Sequence, residues 1–312
     1  MEKIRPISSM KTPRFAEIAT FFRLPVINDL DKLDYCICGV PWDGGTTNRP
    51  GARHGPREIR NSSSLIRTYH PVSLKSPYDK FNIADIGDCP VNPADLLDSL
   101  KKIEFFYKRI VEKKTIPLSI GGDHLVSLPI LRALAKDNPL ALFQFDSHSD
   151  TWDSYFGGFK YTHGTPFRRA IEENLIDPTK YVILGLRGGL YDPEDLKWAI
   201  DQGVTIITID QYYKMGFEES MKIVKKIIGD APAYLTFDID GIDPTFAPGT
   251  GTPEVGGFNV REAQLIIREL NNINFVGADL VEVSPPFDVN SMTSLVGATM
   301  AFEILCTMTK SN

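Results

Sequence analysis

The sequence predicts an α/β protein built on an open, mainly parallel sheet of eight strands. Three observations carry this. Short apolar runs alternate with amphipathic stretches along the 312 residues, which is the rhythm of strands and helices in turn. Several runs are apolar throughout, as strands covered on both faces must be. Polar clusters follow the third, fourth, seventh and eighth runs, and ligands in such folds collect at the carboxyl ends of strands. A closed eight-fold barrel has the same alternation, but it sets strands three and four across from seven and eight. One tight cluster is easier to build if these four ends are neighbours in an open sheet.

Residues 1–30 read as an N-terminal arm and 31–312 as a single domain. The chain then alternates in order. The apolar run at Asp34–Val40 is the first strand, and the amphipathic stretch Pro56–Arg67 the first helix. A strand at Asn82–Ile86 leads to a long helix at Pro93–Glu112. The run IPLSI gives a strand at Ile116–Ile120, before a helix at Val126–Ala135. ALFQF gives a strand at Ala141–Phe145, before a helix at Thr165–Glu173. Tyr181–Leu186 precedes a helix at Pro193–Gln202. Thr205–Ile209 precedes one at Phe217–Ile228. Ala233–Phe237 precedes one at Asn259–Asn271. The last strand, Phe275–Val281, leads into a helix at Ser291–Thr309.

Composition narrows the function. Hydrophobic residues make up 42% and charged residues 24%, an ordinary globular balance that excludes wholesale disorder, collagen and coiled coil. The net charge of -6 speaks against a nucleic-acid or membrane-surface partner, which wants a basic face. Four cysteines in a chain this long are not a disulfide framework. Cys36 and Cys38 lie two apart in an apolar run and read as small buried hydrophobes. Glu17 and Arg23 interrupt the N-terminal apolar stretch, so it lacks a signal-peptide core. No run reaches the roughly 20 apolar residues of a membrane span. The expected compartment is the cytoplasm.

Three clusters carry chemistry. In Phe145-Asp146-Ser147-His148-Ser149-Asp150 the ionisable residues are two apart, so an extended chain points all three one way. Ending an apolar strand with them is costly without a partner such as a metal ion. Asp238 and Asp240 repeat the spacing in Phe237-Asp238-Ile239-Asp240; a helix cap or salt bridge is the plainer alternative. Asp243, just beyond, is placed to cap a turn. Gly121-Gly122-Asp123-His124 follows the third strand. There Asp123 either orients the histidine or caps the next helix. Together these segments offer two histidines and four carboxylates, enough charge to balance two divalent cations. The absence of thiolates argues against a structural zinc cage. Two adjacent ions would bring the pKa of a water between them toward neutrality and so provide a nucleophile for hydrolysis.

The motifs GGDH, DxHxD and FDIDGIDPTFAPGTGTPEVGG resemble the ureohydrolases: arginases, agmatinases and guanidino-acid hydrolases. The resemblance runs from about Arg14 to Met308. It implies an open three-layer arginase-like fold, a homo-hexamer or trimer, and a pair of manganese ions, with nickel in some relatives. It implies one ion on His124, Asp146, Asp150 and Asp238, and another on His148, Asp146, Asp238 and Asp240, with Asp146 and Asp238 bridging. His163, in Tyr161-Thr162-His163-Gly164, matches the family's proton-shuttling histidine. Glu282, in Leu280-Val281-Glu282-Val283, matches its guanidinium-binding glutamate, and paired carboxylate oxygens suit a planar guanidinium. Protonation of the leaving amine is expected from Asp150 or through His163.

The implied reaction is hydrolysis of a guanidino group to urea and an amine. For the substrate, the segment Thr151-Trp152-Asp153-Ser154-Tyr155 departs from the Asn- and Ser-bearing segment of arginases, which speaks against arginine. Asp153 suits the distal ammonium of agmatine, and agmatine to putrescine and urea is the first expectation. A guanidino acid, 4-guanidinobutyrate or 3-guanidinopropionate, comes next, with Arg14 or Arg49 meeting its carboxylate. Trp152 and Tyr155 can narrow the pocket, even for guanidine itself. Single-zinc deacetylases share the family's fold but lack the GTGTPEVGG segment, and a non-catalytic subunit would have a broken ligand set. The loop around His54 lacks the spacing of a phosphate-binding P-loop and reads as a surface loop at the site rim or a subunit contact. His70 reads as structural.

Overall fold

A computed structural model describes residues 3–135 and 138–309. The ends of the arm (1–2) and of the domain (310–312) lie outside the described residues. Eight strands form one sheet: β1 (Tyr35–Gly39), β2 (Ile83–Asp88), β3 (Ile116–Ile120), β4 (Leu140–Phe145), β5 (Ile176–Leu186), β6 (Thr205–Thr208), β7 (Ala233–Asp238) and β8 (Phe275–Val281). Their order is β2-β1-β3-β8-β7-β4-β5-β6, and every neighbouring pair is parallel. The edges β2 and β6 do not meet, so the sheet is open. Strands β3, β8, β7 and β4 stand side by side at its centre, as the clustering of polar residues anticipates.

The helices are α1 (Gly55–Ser63), α2 (Leu96–Glu112), α3 (Ser127–Leu134), α4 (Pro166–Glu172), α5 (Lys197–Gln202), α6 (Ile209–Met215), α7 (Phe217–Ile228), α8 (Val260–Glu269) and α9 (Met292–Met308). Two apolar clusters, one on each face of the sheet, make a three-layer core. Strand alternation feeds both: Ala141, Phe143 and Phe145 of β4 join one cluster, Leu140 and Leu142 the other. The arm is not detached from this core. Phe21, Phe22 and Leu24 are buried in the first cluster, and Val26 bridges to Asp85.

Local chemistry explains where the structure departs from the expected boundaries. Helix α2 begins at Leu96 rather than Pro93 because the Asp95 side chain accepts the Asp98 N–H and caps it there. The short α6 is absent from the pattern read off the sequence. It is started by a reciprocal cap between Thr208 and Gln211 at the end of β6, a signal that periodicity alone does not reveal. The same device, Asn259 with Glu262, starts α8.

Packing also sets the register under the polar cluster. Phe145 and Phe237 are partners across β4 and β7, and their rings stack with centroids 4.5 Å apart and an interplanar angle of 4°. Such a pair adds about 0.5–1.5 kcal/mol beyond its burial. It fixes the level at which Asp146 and Asp238, the next residues of the two strands, leave the sheet.

Candidate metal centre and cleft

His124 reaches the site because β3 ends in two glycines. A Cβ on Gly122 would sit 1.6 Å from the carbonyl oxygen of Trp42, so only glycine allows the two backbones to cross there. Asp123 then does not orient the histidine. Its Oδ1 accepts the Leu125 N–H at 3.1 Å and caps the turn, while its Oδ2 accepts the Gly45 N–H at 2.6 Å. Asp146, His148 and Asp150 follow β4, Asp238 ends β7, Asp240 lies in the short turn after it, and Glu282 follows β8. Asp150 and Glu282 adopt positive φ values of 50° and 65°. Such conformations cost a non-glycine residue on the order of 1–3 kcal/mol and persist only where the surroundings hold them. Glu282 is held at both ends: its N–H donates to Gly122 O, and its Oε1 accepts the His124 N–H, both at 2.8 Å.

The six expected ligands converge. Nδ1 of His124 lies 3.1 Å from Asp146 Oδ2, 2.9 Å from Asp150 Oδ2 and 3.1 Å from Asp238 Oδ2. Nδ1 of His148 lies 3.1 Å from Asp240 Oδ2 and 3.6 Å from Asp146 Oδ1. Asp146 thus divides its two oxygens between the two histidines. Asp238 turns only Oδ2 to the first group, because its Oδ1 accepts the Asp240 N–H at 2.8 Å.

This arrangement is expensive as bare protein. Burial alone would raise Asp146, but His124 and His148 hold it well below the usual carboxylate range. Burial and the charge of Asp146 push Asp150 up to about 6. Burial, Asp240 and Asp146 drive Asp238 well above its ordinary value. Both histidines lose to burial and gain more from the facing carboxylates, so both are raised. Despite the crowd of oxygens, His124 Nδ1 and Asp240 Oδ2 are buried without a hydrogen-bond partner. Cations between the imidazoles and carboxylates would satisfy both orphans and remove the repulsion. The donor set of imidazole nitrogens and carboxylate oxygens, with no thiolate, fits hard to borderline divalent ions.

The cluster lies in a cleft of about 860 Å³, whose lining includes Arg49, Trp152, Tyr155, Tyr191, Glu254 and Glu282. His163 also lines it. Its Nδ1 is 2.9 Å from Glu282 Oε1, and its Nε2 is 2.8 Å from Thr47 Oγ1. Burial opposes a charge on His163, but Glu282 more than offsets this and lifts it to about 9. Tyr155 and Trp152 stand 6.1 Å apart at the mouth, with Tyr191 within 6.4 Å of each.

Asp153, expected to meet substrate, departs from that expectation. It is not among the residues lining the cleft, and its Oδ1 is engaged by Arg169 at 3.0 Å and Arg168 at 3.7 Å. Arg14 is also elsewhere, donating to Leu65 O beside the arm. Arg49 is in the cleft wall, anchored by Nε to Gly251 O and by Nη2 to Thr250 O, over the Phe287 ring. His70 is buried against Glu303 at 3.0 Å, and His54 is exposed.

Sequence reading missed the residues behind the cluster. Gln144 donates to Asp146 Oδ2 at 2.7 Å and accepts from Tyr181. Arg187 donates to the backbone carbonyls of Gly185, Asp240, Gly241, Ile242 and Glu254. Thr236 and Asp279 lie beneath His124. A lone acid inside the apolar run FVGADLV was the available signal for Asp279.

Residues 33–307 match the Arginase family model. The chain is 54% identical to guanidinopropionase of Pseudomonas aeruginosa, over 98% of this chain and 96% of that one. It is 45% identical to guanidinobutyrase of the same organism, over 97% and 96%, and 42% identical to the mitochondrial agmatinase of Gallus gallus, over 97% and 89%. Among solved structures, proclavaminate amidino hydrolase from Streptomyces clavuligerus superposes with a TM-score of 0.91 at 37% identity, covering 96% of this chain and 99% of that one. The chain belongs to the arginase family, whose ureohydrolases act on carbon–nitrogen bonds.

Proposed function

We propose that this protein releases urea from a short guanidino acid, with 3-guanidinopropionate first and 4-guanidinobutyrate second. The observation that carries the reaction class is the pair of imidazole–carboxylate groups sharing Asp146 on the floor of a cleft that also contains Glu282. The substrate order follows from the tail. The distal ammonium of agmatine would need Asp153, but Asp153 is engaged by two arginines and does not line the cleft. Arg49, a cation suited to a carboxylate, is in the cleft wall. Similarity to guanidinopropionase supports the same order.

We assign the ligands as the resemblance implies: His124, Asp146, Asp150 and Asp238 for one divalent ion, and His148, Asp146, Asp238 and Asp240 for the other. Manganese is our first choice, with nickel as the alternative. When bound, such a pair would acidify the attacking water and offset charge developing in the transition state. The protein does the rest. Glu282 Oε1 is taken by His124 N–H and His163, which leaves Oε2 to accept a guanidinium N–H and orient the electrophilic carbon. His163, bridging Glu282 and Thr47, carries the proton toward the departing amine, with Asp150 as the other donor. Tyr155 narrows the mouth and limits the length of the acid.

We further assign residues 1–30 as an arm and 31–312 as one catalytic domain. No helix among the described residues is long and apolar enough to cross a membrane. Cys36, Cys38 and Cys89 are buried thiols, which supports a reducing, cytoplasmic setting. The nearly fully exposed Met10, Phe15 and Ile18 of the arm offer apolar surface for a homo-hexamer or trimer. The net charge of -6 supports no role for nucleic acid.

The test is urea release from 3-guanidinopropionate, 4-guanidinobutyrate, agmatine, arginine and guanidine, after loading with manganese or nickel. Turnover led by a guanidino acid, with KM raised by Arg49→Gln and unchanged by Asp153→Asn, supports the proposal. Turnover led by agmatine, or loss of selectivity in the Asp153 variant, overturns it.

A further inference from the structure

We propose that Asp279 is a positioning residue for His124, acting through Thr236 to fix which ring nitrogen carries the proton. Thr236 of β7 and Asp279 of β8 are register partners on neighbouring strands, and both are fully buried. Asp279 Oδ2 accepts the hydroxyls of Ser127 at 2.6 Å and Tyr234 at 2.8 Å, and its Oδ1 accepts that of Thr236 at 2.6 Å. A threonine hydroxyl has one proton. Thr236 gives it to Asp279, so its oxygen can face His124 Nε2, 2.7 Å away, only as an acceptor. Nε2 therefore bears the ring proton.

In a neutral imidazole this leaves Nδ1 as a bare lone pair. Nδ1 is the atom surrounded by Asp146, Asp150 and Asp238, and it has no hydrogen-bond partner. The opposite tautomer would turn an N–H into that space and could not ligate a cation. Asp279 thus defines the ligand face of His124 from a strand that supplies no expected metal ligand, with one hydroxyl between carboxylate and imidazole. Partners of this kind typically change metal affinity by about 10- to 100-fold.

The inference rests on reading His124 as a metal ligand, and the experiment separates the two. The full chain is dialysed against graded free manganese, and bound metal per chain is measured for wild type and variants. Melting temperatures check that each is folded. Thr236→Val, nearly isosteric and suited to a strand, should weaken one of two ions about 10- to 100-fold and leave the other unchanged. Asp279→Asn should do the same, because its amide can donate to Thr236 and reverse the relay. Thr236→Ser keeps the hydroxyl and should restore wild-type binding. Tyr234→Phe removes a partner of Asp279 but leaves the relay, and should bind both ions normally.

Wild-type affinity for both ions in Thr236→Val, failure of Thr236→Ser to restore it, or an equal loss in Tyr234→Phe would each overturn the proposal. Two ions bound unchanged by His124→Ala would overturn it together with the metal reading.

Discussion

Glu282 and His163 meet at 2.9 Å, and the same Glu282 oxygen also accepts the backbone N–H of His124 at 2.8 Å. One carboxylate oxygen thus joins the candidate metal cluster to the candidate proton carrier. Glu282→Gln is nearly isosteric but removes the charge that a guanidinium and His163 would both seek. We expect urea release to fall by about 10²- to 10⁴-fold, with bound metal and melting temperature little changed. Parallel assays of turnover and metal content check this. Loss of metal along with activity would make Glu282 a structural support for His124 instead.

The pairing also fixes a pH dependence. In the metal-free protein Glu282 raises His163 to about 9, above the ordinary histidine value near 6.5. A raised folded-state pKa favours the folded state below the unfolded value. That contribution is therefore full below about pH 6.5 and is lost as pH rises through about 9. Thr47 can accommodate both forms: its hydroxyl accepts from a charged ring, and its N–H, 3.2 Å from Nε2, donates to a neutral one. Titration of the His163 ring by NMR in metal-depleted protein should give a midpoint near 9, and Glu282→Gln should lower it. A divalent ion nearby should lower it as well, since like charge disfavours the imidazolium.

Arg187 ties down the other side of the site. From just beyond β5 it holds the carbonyls of Asp240, Gly241, Ile242 and Glu254, and so connects the turn after β7 to the loop that ends in the cleft wall. A lysine has one ammonium where arginine has a planar fork, so it cannot reach this set. Arg187→Lys should cost about 2–4 kcal/mol, from several lost hydrogen bonds to a charged donor and the carbonyls they leave unpaired. Denaturant unfolding measures the loss. We also expect weaker binding of the ion nearer Asp240.

The sequence shows the outward face of the site far better than its support. His124, Asp146, His148, Asp150, Asp238, Asp240 and Glu282 are legible because each is a polar residue where an apolar run stops. Thr236 and Gln144 are not, because a polar residue inside a strand has no local signature until its neighbours across the sheet are known. Strand order follows the same logic. The parallel α/β pattern fixes the class, and the demand for one polar cluster draws β3, β8, β7 and β4 together, but nothing local tells β7 that it pairs with β4. Asp153 misled because spacing brings a carboxylate near the cleft without revealing that Arg169, one turn into α4, already holds it.

Asp243 shows how a residue read as a turn cap from sequence acquires a longer reach. Its Oδ1 accepts the Thr245 N–H at 2.8 Å, a local cap. Its Oδ2 accepts the N–H groups of Gly256 at 2.6 Å and Gly257 at 3.0 Å, thirteen and fourteen residues on. The carboxylate therefore closes the base of the loop carrying Thr252, Pro253 and Glu254 into the cleft. Burial would raise its pKa, but the Thr245 hydroxyl and then these N–H donors outweigh it and bring the value down to about 2. A lowered folded-state pKa stabilises above the unfolded value. The contribution is present above about pH 4 and is lost as pH falls toward 2. Because Asp243 is only half-buried and solvent screens it in part, we expect Asp243→Ala to cost only about 1 kcal/mol at pH 7. The difference from wild type should shrink in melting curves taken between pH 4 and pH 2. If the loop instead holds its shape without this staple, the two proteins will melt together at both ends of that range. Equal KM values for the preferred guanidino acid would then accompany the equal stability.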